Sequence, residues 1–89
     1  VNGTQRDPAL QEAIDLVGGI AALTAFMNRE LQASGEPKIT EQAVSQWRRC
    51  PPARVLLVER ATFDPQTGQA RVTRHRLAPK FYPLDQVAA

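Results

Sequence analysis

Ile39-Thr40-Glu41-Gln42-Ala43-Val44-Ser45-Gln46-Trp47-Arg48-Arg49-Cys50-Pro51-Pro52 is the stretch whose reading decides the fold of this chain. Thr40 carries the short hydroxyl side chain that accepts from a free N–H at a helix start. Glu41 then puts a negative charge at the positive end of the helix dipole. Ile39 before the cap and Val44 inside it are spaced to form a hydrophobic staple. At the other end Pro51 pushes Cys50 out of the helical region, so the pattern predicts a helix over Thr40–Arg49. On a wheel with Glu41 at zero, Ser45 falls at about 40°, Arg49 at about 80°, Gln42 at about 100° and Gln46 at about 140°. Ala43, Trp47 and Val44 lie opposite, at about 200°, 240° and 300°. An Ala/Val/Trp face is expected to be buried and a Glu/Gln/Ser/Gln/Arg face exposed.

The exposed face admits two readings. A surface helix usually bristles with Lys and Glu, whereas this one shows two Gln and a Ser with Arg48 and Arg49 behind them. A Gln carboxamide offers a paired donor and acceptor to the major-groove edge of adenine, Ser bonds either kind of base edge, and Arg suits phosphate or guanine. The same residues also suit a solvated face that is simply rich in Gln.

Working outward toward the N-terminus, residues 1–6 show no periodicity and are expected to form a flexible arm. Asp7-Pro8 is a helix start, and Leu10, Ala13, Ile14 and Val17 follow as one apolar stripe. Gly18-Gly19 ends that helix. A second helix starts near Ile20 with the stripe Ile20, Leu23, Met27 and Leu31, and Phe26 alongside. Ala33 to Lys38, punctuated by Ser, Gly and Pro, reads as loop.

Toward the C-terminus, Pro51-Pro52 starts a fourth helix. Val55, Leu56, Leu57 and Val58 make it apolar nearly all round, the pattern of a central core helix. Asp64-Pro65-Gln66-Thr67-Gly68 is a turn, and Thr73 caps a short last helix through Leu77 that Pro79 ends. Phe81 and Tyr82 are expected to tuck onto the core or onto a second subunit, and residues 84–89 to form a flexible tail. The expectation is an all-α domain of four to five short helices over residues 7–83.

At 89 residues the chain is one domain. A single Cys and a single His exclude an intramolecular disulfide and a zinc site of finger spacing. Cys50 reads as a small inert residue between two helices. No apolar run approaches ~18 residues and no leader pattern is present, so the expectation is a soluble, unsecreted, cytoplasmic protein. Residues 1–45 hold three basic and six acidic side chains, and residues 46–89 hold eight basic and three acidic. That asymmetry suits either an anionic partner on one face or uneven scatter. His75 sits among Arg71, Arg74 and Arg76 with no motif-linked carboxylate or nucleophile, which reads as a helix-end histidine. The Arg71/Arg74/Arg76/Lys80 cluster suits phosphate contact or a solvated surface. Lacking a Gly-rich phosphate loop, paired carboxylates or a nucleophile motif, the chain is expected to be non-enzymatic and to need no cofactor or metal.

The run Ile20-Ala21-Ala22-Leu23-Thr24, followed by Ile39 through Arg49, resembles the helix-turn-helix of Cro-like phage repressors and their YdaS-like relatives. Cys50-Pro51 with Val58 to Thr62, and Val72 to Pro79 with Tyr82-Pro83, are similar as well, so the likeness runs in order from Leu10 to Pro83. It implies a lambda-repressor-like helix-turn-helix domain with an expanded turn. In such a domain Glu41, Gln42 and Gln46 approach base edges with Ser45 near, while Thr40, Arg48 and Arg49 meet phosphate. It further implies a transcriptional repressor on the nucleoid, bound to double-stranded DNA. One domain reading about four base pairs is too little to find one site, so a homodimer on a pseudo-palindromic operator with half-sites about 34 Å apart is expected.

Two departures stand out. Ile20 occupies the place where the family often has a phosphate-clamping Gln. Asn28 stands where a turn Gly would be and Ile39 where the next residue would be, so Arg29 to Lys38 are ten extra residues. The simplest reading is that the second helix runs on through Leu31 and a longer loop returns, with Arg29 and Lys38 available to phosphate. The resemblance also admits an antitoxin-like or adaptor protein that binds a protein partner, or a subunit of phage DNA packaging.

Overall fold

The computed structural model describes residues 6–83. Helix α1 covers Pro8–Val17, with Pro8 at its first position and the Asp7 carboxylate accepting from the Leu10 N–H at 3.3 Å. Gly18 turns the chain out of α1 at φ +112°, a conformation that side-chain-bearing residues rarely adopt, and its N–H reaches the Ile14 and Asp15 carbonyls. Helix α2 covers Ile20–Ala33 and is bent 84° from α1. It runs past Leu31, and the chain returns through an exposed loop at residues 34–38. Helix α3 covers Glu41–Ser45, a 3-10 turn Pro52–Arg54 leads into α4 at Val55–Ala61, and α5 covers Arg74–Leu77. The result is a small, mostly helical domain of five short helices.

The core forms where three helices cross. Leu10, Ala13 and Ile14 of α1 meet Leu23 and Met27 of α2 and Val55 and Val58 of α4. Val44, Cys50, Val72 and Leu77 close it from the sides. Full burial of each Leu, Val or Met contributes roughly 1.5–3 kcal/mol relative to exposure, and few aromatics are needed.

Three expectations are corrected here. The domain is not all-α: strands β1 (Phe63–Asp64) and β2 (Gln69–Ala70) pair antiparallel, with Phe63 opposite Ala70. Asp64 builds the expected turn between them, its carboxylate accepting from the Gln66 N–H at 2.9 Å and its carbonyl from Gly68 at 2.8 Å. Helix α4 is not buried all round, because Leu56 is 43% exposed while Val55 and Val58 face inward. Arg6 is not part of a free arm but is hydrogen-bonded to Gln11 of α1, to Ser45 at the end of α3 and to Trp47 beyond it. The rest of that arm and the expected tail lie outside the described residues. Among the described residues no single helix is long and apolar enough to cross a membrane.

Candidate nucleic-acid interface

The Thr40 hydroxyl caps α3 as its sequence suggests, accepting from the Ala43 N–H at 3.1 Å. Val44 is fully buried and pins the helix to the core, with Ile39 and Trp47 packed half-buried on either side. Below the cap, Asn28 of α2 bonds both polar groups of the Ile39 backbone. The helix is thus held from its start, its middle and the residue after its end.

It is also shorter than its sequence suggests. The expected helix over Thr40–Arg49 stops at Ser45, and Gln46 already bonds back to Ala43 with a tightened i→i+3 turn. Trp47 bonds to Val44 in the same way, and Arg48 and Arg49 lie in a bend. Beyond the helix the Trp47 and Arg48 carbonyls face Pro51 and Pro52 four residues on, which have no N–H to give. With the helix ending at Ser45, the wheel position expected for Arg49 does not hold. Ala43, expected on the buried face, is exposed, because a five-residue helix turns only Val44 fully into the core.

Glu41, Gln42, Ser45 and Gln46 are all exposed, as are Thr40, Lys38, Arg48, Arg49 and Arg29. The Ser45 hydroxyl donates to the Gln42 carbonyl at 2.7 Å, which leaves it only acceptor capacity toward a ligand. Arg29 lies over the Phe26 ring at 5.8 Å, on α2 rather than on the loop. Gln42 to Gln46 rises about 6 Å along the axis, close to two base-pair steps of ~3.4 Å.

Two ion pairs join the acidic first half of the chain to the basic second half. Arg60 of α4 pairs with Glu30 of α2, and Arg76 of α5 with Glu12 of α1 at 2.5 Å. Arg74 meets Glu59 at 2.9 Å, and the same carboxylate accepts from the Arg74 backbone N–H at 2.8 Å, docking α5 on α4. The expected Arg71/Arg74/Arg76/Lys80 cluster is therefore half spent on internal pairs. Among the described residues, Arg48 and Arg49 have no carboxylate partner.

No protein-family model, curated protein or solved structure matches this chain.

What the face can do is therefore read from its own chemistry. Two carboxamides and a carboxylate project from α3 and the turn that ends it, and two guanidinium side chains with no carboxylate partner among the described residues follow Trp47. Carboxamides read paired donor–acceptor edges, and unpaired cations attract polyanions. The remaining candidates are quieter. His75 Nδ1–H donates to the Tyr82 carbonyl at 2.7 Å, a structural bond that holds the last described turn onto α5. Tyr82 packs against the core while Phe81 stays 61% exposed, so the two aromatics part company. Burial pushes the Cys50 thiol up to about 12, which fits an inert core residue. Among the described residues no group of three His, Cys, Asp or Glu is placed to hold a metal ion.

Sequence reasoning missed Arg6. Its Nε and Nη2 donate to the Trp47 and Ser45 carbonyls at 2.9 and 2.7 Å. The partners lie 41 and 39 positions away along the chain, so nothing local in the sequence pairs them.

Proposed function

We propose that the protein is a sequence-specific DNA-binding transcriptional regulator, a repressor of the Cro-like or YdaS-like kind built on a lambda-repressor-like helix-turn-helix with an expanded turn. Helix α3 enters the major groove, where Gln42 and Gln46 bond base edges and Glu41 and Ser45 stand beside them. Thr40, Lys38, Arg29, Arg48 and Arg49 lie toward the phosphates. The single observation that carries this reading is the pairing of a core-anchored, carboxamide-bearing helix turn with two guanidinium groups that have no carboxylate partner among the described residues.

A reading turn of about two base-pair steps specifies too little sequence by itself. The regulator therefore acts as a symmetric pair on a pseudo-palindromic operator, half-sites about 34 Å apart, and represses by occupying it. It works without catalysis, metal or cofactor, in the cytoplasm.

The test is selection from a random duplex library, followed by titration of the selected site across salt. Enrichment of a two-fold site that the Gln42→Ala/Gln46→Ala double variant no longer prefers supports the reading. A folded protein that enriches nothing sinks it. One observation favours a protein-partner module instead: Leu56, Phe63, Tyr82 and Pro83 line an open groove of about 680 Å³ whose charges, Glu59, Arg60 and Arg74, are internally paired.

A further inference from the structure

Two carbonyls just past the end of α3 have no N–H four residues on to pair with. Past Ser45, the Trp47 and Arg48 carbonyls face Pro51 and Pro52 at the i+4 positions, where no N–H exists. The chain supplies both donors from before α1. The Asp7 N–H bonds the Arg48 carbonyl at 2.6 Å, and Arg6 Nε bonds the Trp47 carbonyl at 2.9 Å. Arg6 Nη2 takes the Ser45 carbonyl at 2.7 Å, on the other side of Gln46. The third nitrogen, Nη1, donates to Gln11 Oε1 at 2.8 Å, and Gln11 in turn donates to Asp15 at 3.0 Å. Two α1 side chains thus aim the guanidinium plane.

We propose that Arg6 is a positioning residue for the α3 reading face, bracketing Gln46 by holding the carbonyls of the residues before and after it. Among the described residues Arg6 pairs with no carboxylate, so its work here is directional rather than ionic. Only a planar guanidinium offers three nitrogens in fixed directions; a Lys ammonium at the same place keeps the charge and loses the fork. Arg6, which reads as the end of a free arm, is in this account part of the recognition device. It fixes where the backbone leaves α3, and with it the direction from which the Gln46 carboxamide, Arg48 and Arg49 reach outward. The functional half of this inference rests on the DNA-binding reading; the anchoring of α3 does not.

The test compares the full chain with Arg6→Lys and Gln11→Ala by amide resonances in the absence of DNA, and by duplex selection. Arg6→Lys should stay folded and shift the resonances of Ser45 to Arg49 together with those of Asp7 to Gln11. On DNA its preference at the base pair next to Gln46 should fall at least tenfold. Its non-specific affinity and salt slope should stay as in the parent, because the charge is kept. Gln11→Ala, which removes only the aiming group, should give the same changes more weakly and serves as the readout if Arg6→Lys fails to fold. Unmoved Ser45–Arg49 resonances in both variants overturn the inference. So does a parent-like site preference in Arg6→Lys, whatever its spectrum. If the parent itself selects no sequence while Arg6→Lys still moves those resonances, the DNA-binding reading fails and the anchoring of α3 stands.

Discussion

Asn28 of α2 bonds Ile39 with both ends of its carboxamide: Oδ1 accepts from the Ile39 N–H at 2.8 Å, and Nδ2 donates to the Ile39 carbonyl at 3.0 Å. A carboxamide is a peptide group on a stalk, and here it pairs with a real peptide as a neighbouring strand would. Ile39 directly precedes the Thr40 cap, so this pair sets where α3 begins relative to α2. It is a cross-link over eleven positions of chain.

Asn28→Ala should cost about 1–3 kcal/mol, since two half-buried backbone groups lose their partners together. Asn28→Asp, which keeps only an acceptor, should fall between alanine and the parent. Urea unfolding midpoints of the three proteins check this, and an unchanged midpoint in Asn28→Ala would show that water replaces the clamp without loss.

On the proposed operator, Gln42→Ala and Gln46→Ala should each weaken binding by about 1–3 kcal/mol and leave random duplex binding nearly unchanged. Arg49→Ala should instead weaken every duplex alike and lower the slope of log affinity against log salt by about 0.9 per protomer. Filter binding or anisotropy at four salt concentrations separates the two behaviours. A Gln variant that loses specific and random binding equally would place its side chain off the bases.

Stability should fall as the solution becomes alkaline, in part through Cys50. Burial, with a smaller push from the Asp7 charge, raises its thiol from the ordinary 9.0 to about 12. Between those values the unfolded chain has released a proton that the folded one retains, so stability is complete below about 9 and is lost as pH rises. The slope from this one group is at most ~1.4 kcal/mol per pH unit. Unfolding curves of the parent and Cys50→Ala between pH 7 and pH 10.5 should run parallel at first and converge above pH ~9. Convergence would be missing if the thiol were accessible in the native state.

The Glu12 carboxyl should titrate below its ordinary 4.5, because Arg76 hydrogen-bonds and attracts its charged form. A lowered folded value means that the contribution of the pair is present above the ordinary range and is lost as pH falls through the folded value. Side-chain carbon shifts followed from pH 6 to pH 2 should show this, with Arg76→Gln raising the Glu12 titration. Identical titrations in the two proteins would mean that the pair does not persist in solution.

Much of the architecture was readable because it rests on local chemistry. Asp7, Thr40 and Thr73 cap the three helices that their side chains suggest, Gly18 stops α1, and α2 extends past Leu31. The end of α3 was not legible, because the rule for a residue before proline bars a helix beyond Arg49 and says nothing of where before it the helix stops. The hairpin strands are two residues long each, too short for alternation to register. Leu56 is apolar yet exposed, and composition cannot tell which side of a short helix finds neighbours. The ion pairs were not legible, since Glu12 and Arg76 lie 64 positions apart and only folding brings them together.

The Asn28–Ile39 cross-link has a consequence for how this chain tolerates change in length. It pinches off the segment between them as a ring whose tip, residues 34–38, is exposed throughout. Enlarging a ring already closed costs little, about 0.6 kcal/mol for each doubling of its flexible part. Insertions there leave the entry into α3 where it is. That tip can therefore drift in length over evolutionary time, or carry a spectroscopic label or a short epitope, without disturbing the aim of the helix beside it.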